Sequence, residues 1–242
     1  MRFLLMPLMT ALVLVTPFAA FASETAEPEH RNWAFQGLPT GWDKDRLYRG
    51  YTVATQVCMS CHGIKYISHR DLTKAGFSED EAKALATEMG VGMNDKFKAP
   101  LSEEDSKELY GKVVPDLSVM NKAREGGADY VYAVLTGFSE DPEEIYHNLP
   151  DGVPEGAYYN RAFPGHAIAM PAPLTGPDMV EYHDGTPATV AQMAEDVTYF
   201  LQWTAEPELM DRKHLGVYVL LYVLIFAGLA YLTKRAIWRD IH

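Results

Sequence analysis

Four apolar patterns divide the chain. The first runs without a charge from Phe3 to about Phe18, preceded by Arg2 and followed by Ala20-Phe21-Ala22, an A-x-A-like cleavage site. This is the form of a secretory leader over residues 1–22, with the mature chain starting near Ser23. A retained amino-terminal membrane helix is the alternative, and Pro7 and Pro17 within the run argue against it. The second pattern is a stripe: Leu47, Tyr51, Ala54, Cys58 and Cys61 recur at helical spacing, with Asp43 or Asp45 placed to cap the helix. The third, Val190, Met193, Val197, Phe200 or Leu201, and Thr204, is another helical face, entered through Thr189-Val190-Ala191-Gln192 in the form of a capping box.

The fourth pattern is an unbroken run. Leu215 to Thr233 is 19 residues without a charge, and at about 1.5 Å per residue it matches a hydrocarbon core roughly 30 Å thick. One membrane crossing is expected over about 215–233. Lys234, Arg235 and Arg239 follow the run, with Trp238 suited to the interface. Arg212 and Lys213 on the other side blunt the charge rule, so the export of the preceding domain sets the orientation, with a short cytoplasmic tail. The expected division is a leader over 1–22, an exported domain over 23–210 and an anchor with its tail over 211–242. Residues 23–41, with Trp33 and Phe35, read as an extended arm pinned by its aromatics.

Charge narrows the partners. Residues 23–210 hold 31 Asp and Glu against 15 Lys and Arg, a net of −16, with clusters at 79–81, 103–105 and 140–144. Nucleic acid is excluded as a partner by this balance. It suits steering of a basic protein, although any single cluster also fits a solvated surface.

The chemistry sits on the first stripe. Cys58-Met59-Ser60-Cys61-His62 reads C-x-x-C-H, the attachment motif of a c-type haem. Two thiols at that spacing reach the two vinyl groups on one edge of the macrocycle, and the adjacent histidine supplies an axial ligand. These are the only two cysteines in the chain. A zinc ribbon would need a second Cys or His pair, and a thioredoxin-like redox pair needs no following histidine. Export agrees with covalent haem attachment.

A six-coordinate iron needs a second ligand. Met193 and Met210 fall on or beside the carboxy-terminal helices, where core packing is the better assignment. Met170 lies in Pro164-Gly165-His166-Ala167-Ile168-Ala169-Met170-Pro171-Ala172-Pro173, a stiff, small-residue stretch that can bring a thioether close to a ring. The residues alone leave Met170 open between axial ligand and buried filler, with His166 and His183 as competitors.

Several blocks together resemble one family. C-M-S-C-H combines with P-D-L-S (115–118), A-R-E-G-G (123–127), D-Y-V-Y-A-V-L-T-G (129–137), F-P-G-H-A-I-A-M (163–170), D-G-T-P-A-T (184–189) and A-E-P-E (205–208). From about Trp33 to Trp238 the chain is similar to cytochrome c1, the haem subunit of cytochrome bc1 (ubiquinol–cytochrome c reductase) complexes, bacterial type. The resemblance implies a mainly α fold: a class I cytochrome c-like haem domain on a single carboxy-terminal transmembrane helix. It implies one covalent haem c on Cys58 and Cys61, with His62 and Met170 as axial ligands. Arg124 and Tyr130 are implied as propionate contacts, and the Pro115 carbonyl as a partner for the His62 ring. Some bacterial relatives carry an extra cysteine pair between the haem motif and the methionine. This chain has none, so bracing there falls to packing or to a shorter loop.

The implied function is electron transfer in a respiratory or photosynthetic chain, from a Rieske iron–sulfur protein to a soluble, basic cytochrome c. The implied setting is a dimeric complex with cytochrome b in the bacterial inner membrane, the haem domain being periplasmic. The subunit is expected to be an electron carrier within the complex, not an enzyme by itself. A free-standing anchored c-type cytochrome is one alternative. A haem peroxidase or sensor is another, for which His166 and Arg161 are the only candidate distal groups.

Overall fold

The computed structural model describes residues 27–37 and 41–239. The expected leader lies outside the described residues. Helices dominate: α1 (Lys44–Gln56), α2 (Glu79–Glu88), α3 (Glu103–Tyr110), α4 (Met120–Ala123), α5 (Gly127–Thr136), α6 (Pro142–Asn148), α7 (Val190–Ala205) and α8 (Leu209–Trp238). Two short antiparallel ribbons join them, β1 (Ile64–Ser68) with β2 (Lys96–Phe97), and β3 (Tyr158–Tyr159) with β4 (Ala167–Ile168).

Asp43, not Asp45, caps α1, its carboxylate accepting from the Arg46 N–H at 3.1 Å. Leu47, Tyr51 and Ala54 of the stripe are buried. The helix stops at Gln56, however, and Cys58–Ser60 form a separate 3-10 turn. The tighter turn changes the rotation per residue, so both thiols leave the line of α1 while still facing inward. Thr189 caps α7 through a 3.1 Å bond from the Gln192 N–H. The expected return arm of that box is used elsewhere: the Gln192 amide donates to Asp196 at 2.9 Å.

The crossing of α1 and α7 forms the centre of the core. At Gly50 an added Cβ would lie 2.2 Å from the Asp196 carbonyl oxygen and 2.6 Å from the Phe200 Cβ. Nothing larger than hydrogen fits between the two backbones there. Asp196 is fully buried, and Arg49 pairs with it at 2.9 Å and with Asp184 at 2.6 Å. This guanidinium ties the D-G-T-P-A-T block to both helices. A hydrogen bond from the Thr186 N–H, followed by Arg49, holds the Asp184 carboxyl down at about 2.

Gly126 and Gly127 have φ of 80° and 54°. Two successive left-handed residues let the chain reverse from α4 into α5, a conformation that costs other residues about 1–2 kcal/mol each. The arm then lies on α5: Trp33 and Phe35 are buried, and Asp129 accepts from the Arg31 N–H and the Trp33 indole N–H. The Arg31 guanidinium covers the Tyr132 ring at 3.8 Å.

The last helix is longer than its uncharged run. It begins at Leu209, and Leu209 and Met210 are buried in the domain. Lys74–Glu208, Lys122–Glu206 and Arg212–Glu206 ion pairs surround its start, and Lys213 donates to the carbonyls of Phe35 and Gly37. From Leu215 onward its apolar side chains are exposed. Its 30 residues make a helix of about 45 Å, long and apolar enough to cross a membrane.

A candidate haem site

Residues scattered over the sequence meet at one cavity of about 550 Å³, within the ~300–1,000 Å³ usual for cofactor sites. Cys58, Cys61 and His62 line it from the motif, Arg124 and Tyr130 from the α4–α5 region, Pro115 from the segment before α4, and Met170 from the loop after β4. Val131, Val134 and Leu135 of α5 and Val197 and Leu201 of α7 make much of the rest apolar. Of the competing histidines, neither His166 nor His183 is among the lining residues. The His183 ring packs edge-on to Tyr48 at 4.2 Å, and the His166 ring stacks on Tyr159 at 6.0 Å.

The donor set suits a covalently held haem. Burial in the apolar wall pushes the Cys58 thiol up to about 12, so it is neutral. His62 lies 2.7 Å from the Pro115 carbonyl through Nδ1. A carbonyl only accepts, so Nδ1 carries the proton and Nε2 keeps its lone pair for a metal. Burial lowers the pKa of this ring, favouring the neutral ligand form. Leu117 N–H donates to the Gly63 carbonyl at 2.8 Å, and Asp116 accepts from Lys65 N–H and Ser118 N–H, both at 3.0 Å. The P-D-L-S block is thus tied to the chain beside the histidine by two of these contacts, while the Asp116–Ser118 bond shapes the block itself.

The Met170 loop is braced without sulfur. Arg161 pairs with Glu144 through two 2.9 Å bonds, Tyr159 OH donates to Glu144 at 3.1 Å, and Asn148 donates to Tyr159 OH at 2.8 Å. These contacts tie α6 to the β3–β4 ribbon. The stretch 141–158, left open by the sequence, contains α6 with Asp141 as its cap and Pro142 at its first turn.

Arg124 is exposed at the cavity edge, and its guanidinium also donates to the Ala123 carbonyl at 3.0 Å. Burial raises the Tyr130 pKa, so its hydroxyl is a donor at neutral pH. The sequence reading missed other lining groups. Tyr110 places its hydroxyl 3.7 Å from the Cys61 sulfur, Lys112 adds a second cation, and Met120 adds a second thioether. Tyr110 and Lys112 lie in a polar segment with no periodic signal, and Met120 sits between two recognised blocks, two residues past Ser118.

A helical domain that gathers C-x-x-C-H, a methionine and an apolar cavity, and ends in a long exposed apolar helix, is a class I c-type haem domain on a membrane anchor. The sequence model of the Cytochrome C1 family matches residues 33–241, and the chain belongs to that family. It is 38% identical over 258 residues to Cytochrome c1 of Rhodospirillum rubrum, covering 95% of this chain and 94% of that protein. With Cytochrome b/c1 of Bradyrhizobium diazoefficiens it shares 41% identity over 256 residues, covering 89% of this chain but only 36% of that longer protein. It is also 37% identical over 239 residues to the mitochondrial Cytochrome b-c1 complex catalytic subunit of Candida albicans, covering 91% of this chain and 80% of that protein.

Proposed function

We propose that this chain is the haem-carrying electron-transfer subunit of a membrane-bound cytochrome b-c1 complex. When bound, a haem held by imidazole and thioether supplies a one-electron couple at high potential. Cys58 and Cys61 would hold the group covalently, and His62, through Nε2, and Met170, through its thioether, would ligate its iron. Arg124 and Tyr130 would hold the propionates, a planar guanidinium being able to pair with a carboxylate. The chain is not an enzyme by itself: its residues fix the cofactor, exclude water from it and tune it.

The observation that carries this reading is the shared cavity. Two thiols, an imidazole in the right tautomer and a thioether from more than a hundred residues further along line one apolar space. The peroxidase or sensor reading loses its distal groups, because Arg161 is engaged by Glu144 and neither Arg161 nor His166 lines the cavity.

Around that centre, residues 1–22 are a cleaved leader, 23–210 the periplasmic haem domain, and 211–242 the inner-membrane anchor and tail. The electron donor is a Rieske iron–sulfur subunit and the acceptor a soluble basic cytochrome c, in a dimeric complex that also contains cytochrome b. Copurification of the chain with a cytochrome b and an iron–sulfur subunit separates this from a free-standing carrier.

Met170→Leu tests the ligand assignment, with Met120→Leu as control. The Met170 variant should lose the far-red sulfur-to-iron band of the oxidised protein, drop in midpoint potential and bind carbon monoxide when reduced. The Met120 variant should keep all three parental properties. The reverse pattern would assign the ligand to Met120, and a Met170 variant with parental behaviour would overturn the reading.

A further inference from the structure

We infer that Asn160 is the positioning residue that sets where Met170 stands over the cavity, by joining the methionine loop to the α5 wall through its side-chain amide. The inference rests on the reading of Met170 as the sixth ligand. Asn160 follows β3 directly and is fully buried. Its Nδ2 donates to the Val134 carbonyl on α5 at 2.8 Å. Its Oδ1 accepts from the Ala162 N–H at 3.0 Å and the Phe163 N–H at 3.1 Å. Its own N–H donates to the His166 carbonyl at 3.0 Å, closing the β3–β4 ribbon, and the Arg161 N–H donates to the Gly137 carbonyl at 2.9 Å.

The two ends of this link are both walls of the haem cavity. Val134 lines it from α5, and Phe163, Ile168, Ala169 and Met170 line it from the loop. One amide therefore spans them in a place water does not reach, where a lost partner leaves a buried polar group unsatisfied. The site is built around this side chain. A Cβ on Gly137 would fall 3.0 Å from Asn160 Oδ1 and 2.6 Å from the Ala133 carbonyl oxygen, so only glycine leaves room for the contact. The turn its Oδ1 holds runs into strained backbone, since Phe163, whose N–H it accepts, in turn accepts from the His166 N–H. His166 holds φ of 56° next to Gly165 at 74°, and without the Asn160 bonds the loop is free to relax away from that conformation.

The amide does what neither of its near neighbours can. Aspartate is the same size and keeps both accepted bonds, yet presents a second acceptor to the Val134 carbonyl and severs the link between the walls. Alanine removes the link and the turn bonds together. Asn148, which serves the outer network of the same ribbon without lining the cavity, is the matched control.

The test uses the full haem-loaded chain and reads three quantities: the far-red sulfur-to-iron band with the alkaline pH at which it disappears, the midpoint potential, and carbon monoxide binding by the reduced protein. Asn160→Asp and Asn160→Ala should weaken or lose the band, bring its disappearance to lower pH, lower the potential and admit carbon monoxide. Asn148→Ala should lower only the melting temperature. Asn160→Ser, which keeps a hydroxyl in the pocket, carries the same measurement if Asn160→Ala yields no loaded protein. A parent that shows the band while the Asn160 variants match it in all three readouts overturns this inference alone. A parent that lacks the band overturns the Met170 reading and this inference with it.

Discussion

The ring of His62 rests on the carbonyl of Pro115 at 2.7 Å, a contact between residues 53 positions apart. That contact fixes the tautomer and the plane of the imidazole together, and it is held in turn by Asp116, which accepts from Lys65 N–H on one segment and Ser118 N–H on the other. The carbonyl cannot be removed by mutating Pro115, so Asp116 is the place to probe it.

Asp116→Ala should destabilise the domain by about 1–2 kcal/mol, the loss of two partly exposed charge-assisted hydrogen bonds. Asp116→Asn, which keeps an acceptor, should cost less. Chemical denaturation of the haem-loaded domain measures both, and a parental midpoint for the alanine variant would remove Asp116 from the support of His62.

Gly50→Ala should be far more damaging than a surface glycine change. The added carbon meets backbone at 2.2 Å, so α1 and α7 must part or the helices must shift, at a cost of about 3 kcal/mol. Val57, Val197 and Leu201 of the cavity wall move with them, and a loss of haem-loaded protein in cells is the expected readout. Gly152→Ala, in open space but at φ of 84°, should leave loading unchanged.

Acid should weaken the domain through His69. This ring is buried against Phe97 at 4.2 Å, and burial holds its pKa below the usual 6.5 against the opposing pull of Asp95. The unfolded chain therefore binds a proton that the folded one refuses. Stability is full above pH 6.5 and is lost as pH falls from there toward the folded value, by at most about 1.4 kcal/mol per pH unit. His69→Phe should flatten that part of the stability–pH curve, and an unchanged slope would rule the ring out.

The net charge of −16 over residues 23–210 makes a kinetic prediction. Turnover with a basic cytochrome c should fall steeply as salt screens the encounter, the Debye length shrinking to about 8 Å at physiological ionic strength. An acidic acceptor should show the opposite or no trend. A flat profile with the basic protein would remove the acidic surface from docking.

What the sequence made legible was whatever repeats at short range. The stripe through Leu47, Tyr51 and Ala54, the cap at Thr189, the arm anchored by Trp33 and Phe35, and the uncharged run from Leu215 all depend on neighbours within a few residues. The motif at 58–62 was equally plain, since its spacing is its chemistry. Its local shape was not: nothing in Val57 to Ser60 announces that α1 breaks into a 3-10 turn. The ribbons were invisible for a similar reason, with β2, β3 and β4 only two residues each, too short for alternation to register. Asn160 escaped because its meaning lies wholly in partners on α5, and no pattern in its own vicinity distinguishes it from a solvated turn residue.

The start of α8 carries a consequence for how the molecule works. Leu209 and Met210 are packed in the domain and the same helix continues unbroken to Trp238, so the body that holds the cavity and the exposed apolar length share one backbone hydrogen-bond ladder, and a helix-breaking residue between them is what would uncouple the two.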